Sequence, residues 1–201
     1  MVSKRLTHDR RREQILTKAA CLFTQRGLER TGMRDVAKAC KVNEALLYKH
    51  FTGKQDLYRQ VIVYSQGKAF SMWEAVMAGS PNGYAALTGL LEVSIFKTSN
   101  KIYAFSYLVH DTTSTLKNRE SGDLVSQGYA RLCSFVEESL RRGMADGSIK
   151  EIESAENCAS CLLSRSIILS MASGVLPPSK SAPQNIDHLL ESVTQCLLPD
   201  R

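Results

Sequence analysis

The chain has 201 residues, a formal net charge of +6, 43% hydrophobic and 23% charged residues, proportions that exclude a disordered or collagen-like chain and leave a globular protein. Its charge is divided unevenly: residues 1–60 hold 14 Lys or Arg against 6 Asp or Glu, +8, whereas residues 61–201 hold 12 against 14, −2. A basic module on a near-neutral body points to a polyanion partner for the module and a different task for the body, the competing reading being a solvated basic surface.

The chain reads as all-α. Strict alternation of Val, Ile, Tyr and Thr is missing, and no Asn-Gly or Asp-Gly turn joins two such runs. The start, MVSKRLTHDRRREQ, lacks the apolar run of a secretory signal. Over 9–26, Ile15, Ala19, Leu22 and Phe23 form one helical stripe with arginines opposite, and Gly27 is placed to end the helix. Thr31 and Gly32 start a short helix that turns Met33, Val36, Ala37 and Cys40 inward. A second short helix is predicted from Asn43 to His50, with Val42, Leu47 and Phe51 as core contacts. Thr52 to Gln55 reads as a capping box opening a long helix that runs to Met77 or Ala78.

GSPNG at 79–83 breaks the pattern, and new periodicity follows at Tyr84, Leu87, Leu90 and Leu91. Further breaks are expected near Asn100 and across TTSTLKNRESG at 112–122, then helices at 123–145, 154–174 and 185–198. The window 158–176 is apolar but interrupted by Arg165 and five serines, so it reads as a helix packed on protein and not as a membrane span. With neither export nor membrane signals, a cytoplasmic protein is expected.

Six cysteines are scattered at 21, 40, 133, 158, 161 and 196. Cys158 and Cys161 form a C-x-x-C, which raises zinc or dithiol chemistry; with no second pair at ligand spacing, packing is the favoured reading and no metal or cofactor is expected.

The spacing over 33–51 matches a helix-turn-helix. Val36, Cys40, Val42 and Leu47 are its apolar contacts, and Ala37 stands where two crossing helices touch and a larger side chain would force them apart. With Leu47 and Phe51 inward, the outward set becomes Asn43, Glu44, Leu46, Tyr48, Lys49 and His50. Tyr48 and His50 suit phosphates at the groove edges, and Lys49 suits a phosphate or a guanine. Lys54 adds a charge at the start of the next helix, and Arg34 one in the first turn of the preceding helix. Thr31 and Ala45 complete the predicted DNA-facing set.

Between Arg11 and Val61, above all in QILTKAACLFTQRGLERTGMRDVAKACKV and LLYKHFTGKQDLY, the chain resembles the DNA-binding domain of the TetR family of transcriptional regulators. The L-Y-x-H-F string, the lysine three residues beyond it and the helix-turn-helix spacing occur together and in order. The resemblance implies an all-α protein of about nine helices, three forming a helix-turn-helix head. It places a DNA-binding domain at 1–53 and an effector-binding and dimerisation domain at 54–201. It further implies a palindromic double-stranded DNA operator, a small-molecule effector, and a homodimer formed through the helices near 154–174 and 185–198. EESLRRGMADGSIK at 137–150 is similar to the family's join between a long body helix and the end of the fold.

Three positions depart from the family pattern. Lys41 occupies a turn position usually filled by glycine, which costs on the order of 1 kcal/mol if its φ is positive. Glu44 and Leu46 replace commoner small or polar residues on the reading face, where a carboxylate is favourable only if it accepts from cytosine N4.

In the body, Phe70, Trp73, Phe96, Tyr103, Phe105 and Tyr107 precede His110. Trp73, Phe96, Tyr103, Tyr107 and His110 are the candidate effector-pocket residues, set against the plainer reading that a helical bundle must fill its core. The rival functions are a constitutive DNA-binding dimer without an effector and an all-helical enzyme. No nucleophile elbow, phosphate loop, zinc-protease signature or dinucleotide fingerprint supports the enzyme. The sequence is read as a ligand-responsive repressor.

Overall fold

The computed structural model describes residues 7–96, 119–175, 192 and 196–199, the side chains of 94–96 and 166–175 excepted. Among the described residues all the extended regular structure is helical: α1 His8–Arg26, α2 Met33–Cys40, α3 Glu44–Tyr48, α4 Lys54–Gly79, α5 Gly83–Phe96, α6 Arg119–Asp146 and α7 Ala155–Val175. The all-α class holds. The breaks expected near Asn100 and over 112–118, and most of the helix expected at 185–198, lie outside the described residues.

Local chemistry sets the ends of the head helices. Thr7 caps α1, its Oγ1 accepting from the Arg10 N–H at 3.4 Å, and Gly27 ends it at φ 77°. Asp35 caps α2 by accepting the Gly32 N–H at 2.9 Å. Its other end closes as a Schellman turn: Lys41 N–H donates to the Lys38 carbonyl at 3.1 Å and Val42 N–H to the Ala37 carbonyl at 3.0 Å. Such a turn needs a left-handed residue, and Lys41 supplies it at φ 56°, ψ 45°.

The cap expected from Thr52 and Gln55 is different. Gly53 is the N-cap of α4, and the Asp56 carboxylate, not the Gln55 amide, accepts the Thr52 N–H at 2.8 Å. The register is shifted by one residue because Asp56 stands at the third helical position, where a side chain can reach back to the chain entering the helix.

Two cores follow one another. The first joins Ile15, Leu16 and Phe23 of α1 with Val36 and Ala37 of α2, Leu47 of α3 and Phe51. It also takes in Leu57, Tyr58, Val61 and Ile62 of α4, with the Phe23 and Tyr58 rings edge to face at 5.3 Å. The second is built from Trp73, Leu87, Leu90 and Leu91 with Leu132, Val136 and Leu140 of α6, Ile149, the first turns of α7, and Leu197. The head core therefore extends beyond residue 53 into the first two turns of α4, and α4 enters both cores.

α6 begins at Arg119, four residues before the expected start at 123. The polar stretch there is drawn into a helix by tertiary contacts: Ser121 is fully buried, Glu120 pairs with Arg59, and Leu124 and Val125 lean on the head core. At the other end of α4, Arg142 donates to the carbonyls of Met77 at 3.1 Å and Ser80 at 2.7 Å, satisfying acceptors the helix leaves open. Asp146 meanwhile accepts the Gly83 N–H at 2.8 Å where α5 starts. No helix among the described residues is long and apolar enough to cross a membrane.

Candidate nucleic-acid interface

α2 and α3 form the predicted corner. Val36 and Leu47 are fully buried and Ala37 nearly so. Asn43 starts α3 by accepting the Leu46 N–H on its Oδ1 at 2.9 Å. That bond takes the side-chain oxygen and leaves the Asn43 amide N–H groups as its outward donors.

The outward face of α3 carries Ala45, Tyr48 and Lys49, all exposed, Tyr48 to 52%. Beside it Val42, Asn43, Ala45, Leu46 and Lys49 line a recess of about 330 Å³. Glu44 and Leu46 are half-buried, and Arg34 in the first turn of α2 is exposed.

Three predicted contacts are placed differently from expectation. Thr31 is fully buried, and its hydroxyl donates to the Gly27 carbonyl at 2.8 Å; it fastens the α1–α2 turn and its side chain is not presented to a ligand. Lys54 is half-buried, its Nζ donating to the Leu28 carbonyl at 3.1 Å, so it ties α4 to the end of α1 as well as carrying charge. His50 does not project freely. It is half-buried beneath His8 of α1, ring centroids 4.4 Å apart, with Phe51 on another side at 6.1 Å.

The His50 Nδ1 is buried and has no hydrogen-bond partner among the described residues. Burial, then the charges of His8, Arg12 and Arg11, holds this imidazole below the ordinary histidine range. Arg12 lies 5.7 Å from the Phe51 ring centre and donates to Gln60. The amino-terminal end of α1 thus comes up against the end of the reading helix, a juxtaposition of residues 42 positions apart that spacing rules could not find.

In the body, Trp73 is 3% exposed and packs edge to face on Phe135 at 5.7 Å, and Phe70 stacks on Phe135 at 6.3 Å. Among the described residues Trp73 is part of the second core. The Phe96 side chain, Tyr103, Tyr107 and His110 lie outside the described residues. All six cysteines are free thiols; burial first, then Cys161 and Cys196, pushes the Cys158 thiol up, which leaves it less of a thiolate and a poorer metal ligand. Among the described residues no group of three or more His, Cys, Asp or Glu is placed to hold a metal ion.

The family model "Bacterial regulatory proteins, tetR family" matches residues 15–61, from the middle of α1 into α4. The repressor KstR2 of Mycolicibacterium smegmatis is 26% identical over 140 residues, 70% of this chain and 68% of its own. The activator FasR of the same organism is 40% identical over 58 residues, 29% of this chain and 26% of its own. Among solved structures, a transcriptional regulator from Saccharomonospora viridis in complex with choline has a TM-score of 0.84 at 18% identity, covering 96% of this chain and 100% of its own. The ketosteroid transcriptional regulator KstR2 of Mycobacterium tuberculosis has a TM-score of 0.72 at 17% identity over the whole of both chains. These structures share the fold, and the match over 15–61 falls on the corner that holds the exposed Tyr48 and Lys49. Residues 15–61 therefore carry the DNA-binding domain of the tetR family of bacterial regulatory proteins, set in a chain that shares the fold of these transcriptional regulators throughout.

Proposed function

We propose that the protein is a dimeric, ligand-responsive repressor whose α3 helices occupy successive major grooves of a palindromic operator, roughly 34–36 Å apart. The observation that carries this reading is the exposed Ala45, Tyr48 and Lys49 face on a corner whose inner side, Leu47 and Ala37, is locked into a core. Arg34, Asn43, Glu44, Leu46, His50 and Lys54 flank that face as phosphate or base contacts. Thr31 acts from behind by fixing the turn. The DNA-binding unit is residues 1–53 together with the opening turns of α4, and the rest of 54–201 is the regulatory body.

Pairing of subunits is assigned to α7 and the segment 185–198, which brings two heads to one side of the dimer. The effector acts on the body. Because α4 enters both cores and α6 leans on the head through Leu124 and Val125, repacking the body swings α3 relative to its partner. An effector that prefers the wrongly spaced state releases DNA by the ratio of its affinities for the two states. Ketosteroids, named for one relative, and choline, bound by one neighbour, are the first two compounds to try.

The experiment is selection of bound duplexes from genomic fragments, followed by titration of the recovered duplex at several salt concentrations, with and without each compound. Expected is an inverted-repeat site, a log–log fall in affinity with salt, and release by an effector. Absence of salt-dependent binding to any duplex removes the DNA-binding assignment. Binding that no metabolite relieves removes only the sensor and leaves a constitutive dimer.

A further inference from the structure

We propose that the recess beside α3 reads a thymine: Asn43 donates to the O4 of that base, and Leu46 and Ala45, over Val42, enclose its C5-methyl group. The inference rests on the DNA-binding reading of α3 and deepens it by naming one base of each half-site and the side chains that select it.

The walls of the recess are apolar and stand at the reading face. Val42, Asn43, Ala45, Leu46 and Lys49 line it, and Ala45 and Lys49, one turn apart, share the exposed flank of α3 with Tyr48 close by. Val42 packs against the head core, which gives the recess a fixed floor. Leu46 packs into neither core among the described residues, although it is half-buried. An apolar side chain that serves no core is left to cover something apolar brought to it.

The polar groups of the recess are one-sided. The Leu46 N–H ends on the Asn43 Oδ1 at 2.9 Å, and only the oxygen of that amide can accept it, so the orientation of the Asn43 side chain is settled. That bond already satisfies the start of α3, and the contact with DNA falls to side chains. The amide NH2 of Asn43 remains as a donor, and the Lys49 ammonium is a donor as well. Glu44 does not line the recess.

The four base edges of the major groove answer this arrangement differently. Cytosine presents its N4 amino group and adenine its N6 amino group beside N7, and either amino group would meet donors with no side chain to accept it. Guanine offers two acceptors, N7 and O6, but nothing apolar for Leu46 and Ala45 to cover. Thymine alone sets an acceptor, O4, next to a methyl group. Its O4 takes the Asn43 hydrogen, and burial of its methyl against Leu46 and Ala45 removes apolar surface from water.

The test uses the full chain. Bound duplexes are selected from a random pool, and each thymine of the recovered half-site is replaced in turn by deoxyuridine, which deletes the methyl and keeps O4. Expected is one thymine per half-site at which this replacement weakens binding by about three- to fivefold, the worth of one buried methyl. Leu46→Ala, a change outside both cores, should bind the thymine duplex less tightly and become indifferent to the replacement at that base. Asn43→Asp keeps an oxygen to cap α3 and has no donor, so a fresh selection at low salt should exchange that thymine for a base with an amino group. A recovered site in which no thymine responds to loss of its methyl overturns the inference and leaves the DNA-binding reading intact. So does a response undiminished in Leu46→Ala, or a thymine retained by Asn43→Asp. Failure of the wild type to bind any duplex overturns both.

Discussion

Gln66 of α4 donates its side-chain amide to the Leu124 carbonyl of α6 at 2.9 Å, and Gly128, one turn further along α6, leaves the room for that amide: a Cβ there would stand 2.1 Å from its nitrogen. Gly128→Ala must therefore displace Gln66 and break the bond. The expected loss of stability is about 1 kcal/mol, the worth of one such hydrogen bond. Gln66→Ala removes the same bond and the obstacle together. In that background Gly128→Ala meets no obstacle and should be stabilising by up to about 0.5–1 kcal/mol, alanine's helical preference over glycine, so the two changes couple strongly. Chemical denaturation of the four variants checks this, and simple additivity would mean the α4–α6 joint is not built on this pair.

Tyr48 is half exposed and no part of the head core, whereas Leu47 beside it is fully buried. Tyr48→Phe keeps the ring and deletes the hydroxyl. It should leave the melting temperature within error and reduce duplex affinity by about 1–3 kcal/mol, the cost of losing a phosphate donor. Leu47→Ala should instead lower stability by about 2–5 kcal/mol, as a buried truncation does. Unchanged affinity in Tyr48→Phe at moderate salt takes Tyr48 out of the contact set.

Much of the head was legible because its signals are local. The stripe of Ile15, Ala19 and Phe23, the glycine at 27 and the small Ala37 each specify geometry within a few residues, and each is found as expected. What escaped was long-range. Thr31 reads as an exposed hydroxyl until the turn folds it onto Gly27; His8 has no meaning until α1 crosses the end of α3; and Arg119 to Gly122 look like a loop until Arg59 and the head core hold them in a helix. Trp73 illustrates the ambiguity of aromatics in a bundle, since periodicity cannot tell a core ring from a pocket ring.

Lys41 holds a left-handed conformation, φ 56°, that its Cβ disfavours, and it is exposed with no side-chain role in the turn. Lys41→Gly relieves that strain at the expense of a more mobile unfolded chain. The net stabilisation should be about 0.5–1 kcal/mol, with Lys41→Asn intermediate. Equilibrium unfolding decides it; a glycine variant no more stable than wild type would show that the Schellman turn carries no such strain. Because the substitution also removes a cation from the head, its duplex affinity should be compared at several salt concentrations.

Lys54 has two tasks in this structure, and a substitution separates them from those of Tyr48. Lys54→Met keeps the aliphatic stem and removes the ammonium that donates to the Leu28 carbonyl at 3.1 Å. It should lower stability by about 1 kcal/mol, at the low end for a charged donor because the group is only half-buried, and weaken duplex binding as well. The salt slope of binding should become shallower by about one unit per subunit. A variant that loses stability with an unaltered salt slope would confine Lys54 to the scaffold.

Acid stability should fall in two steps in the absence of DNA. His50 is held below its ordinary range by burial, then by His8, Arg12 and Arg11, so the unfolded chain takes the proton more readily. Its contribution is full above the unfolded value of about 6.5 and is lost as pH falls below it toward the folded value. Asp56 is opposite in chemistry but alike in sign: burial raises its pKa, and the hydrogen bonds from Gln60 and Thr52, with Arg59 nearby, outweigh burial and hold the carboxyl below the usual range. Its contribution is present above about pH 4 and disappears as pH falls through the folded value. His50→Gln should flatten the first step alone and Asp56→Asn the second alone, read as denaturation midpoints against pH. If either step persists in its own variant, another group titrates there.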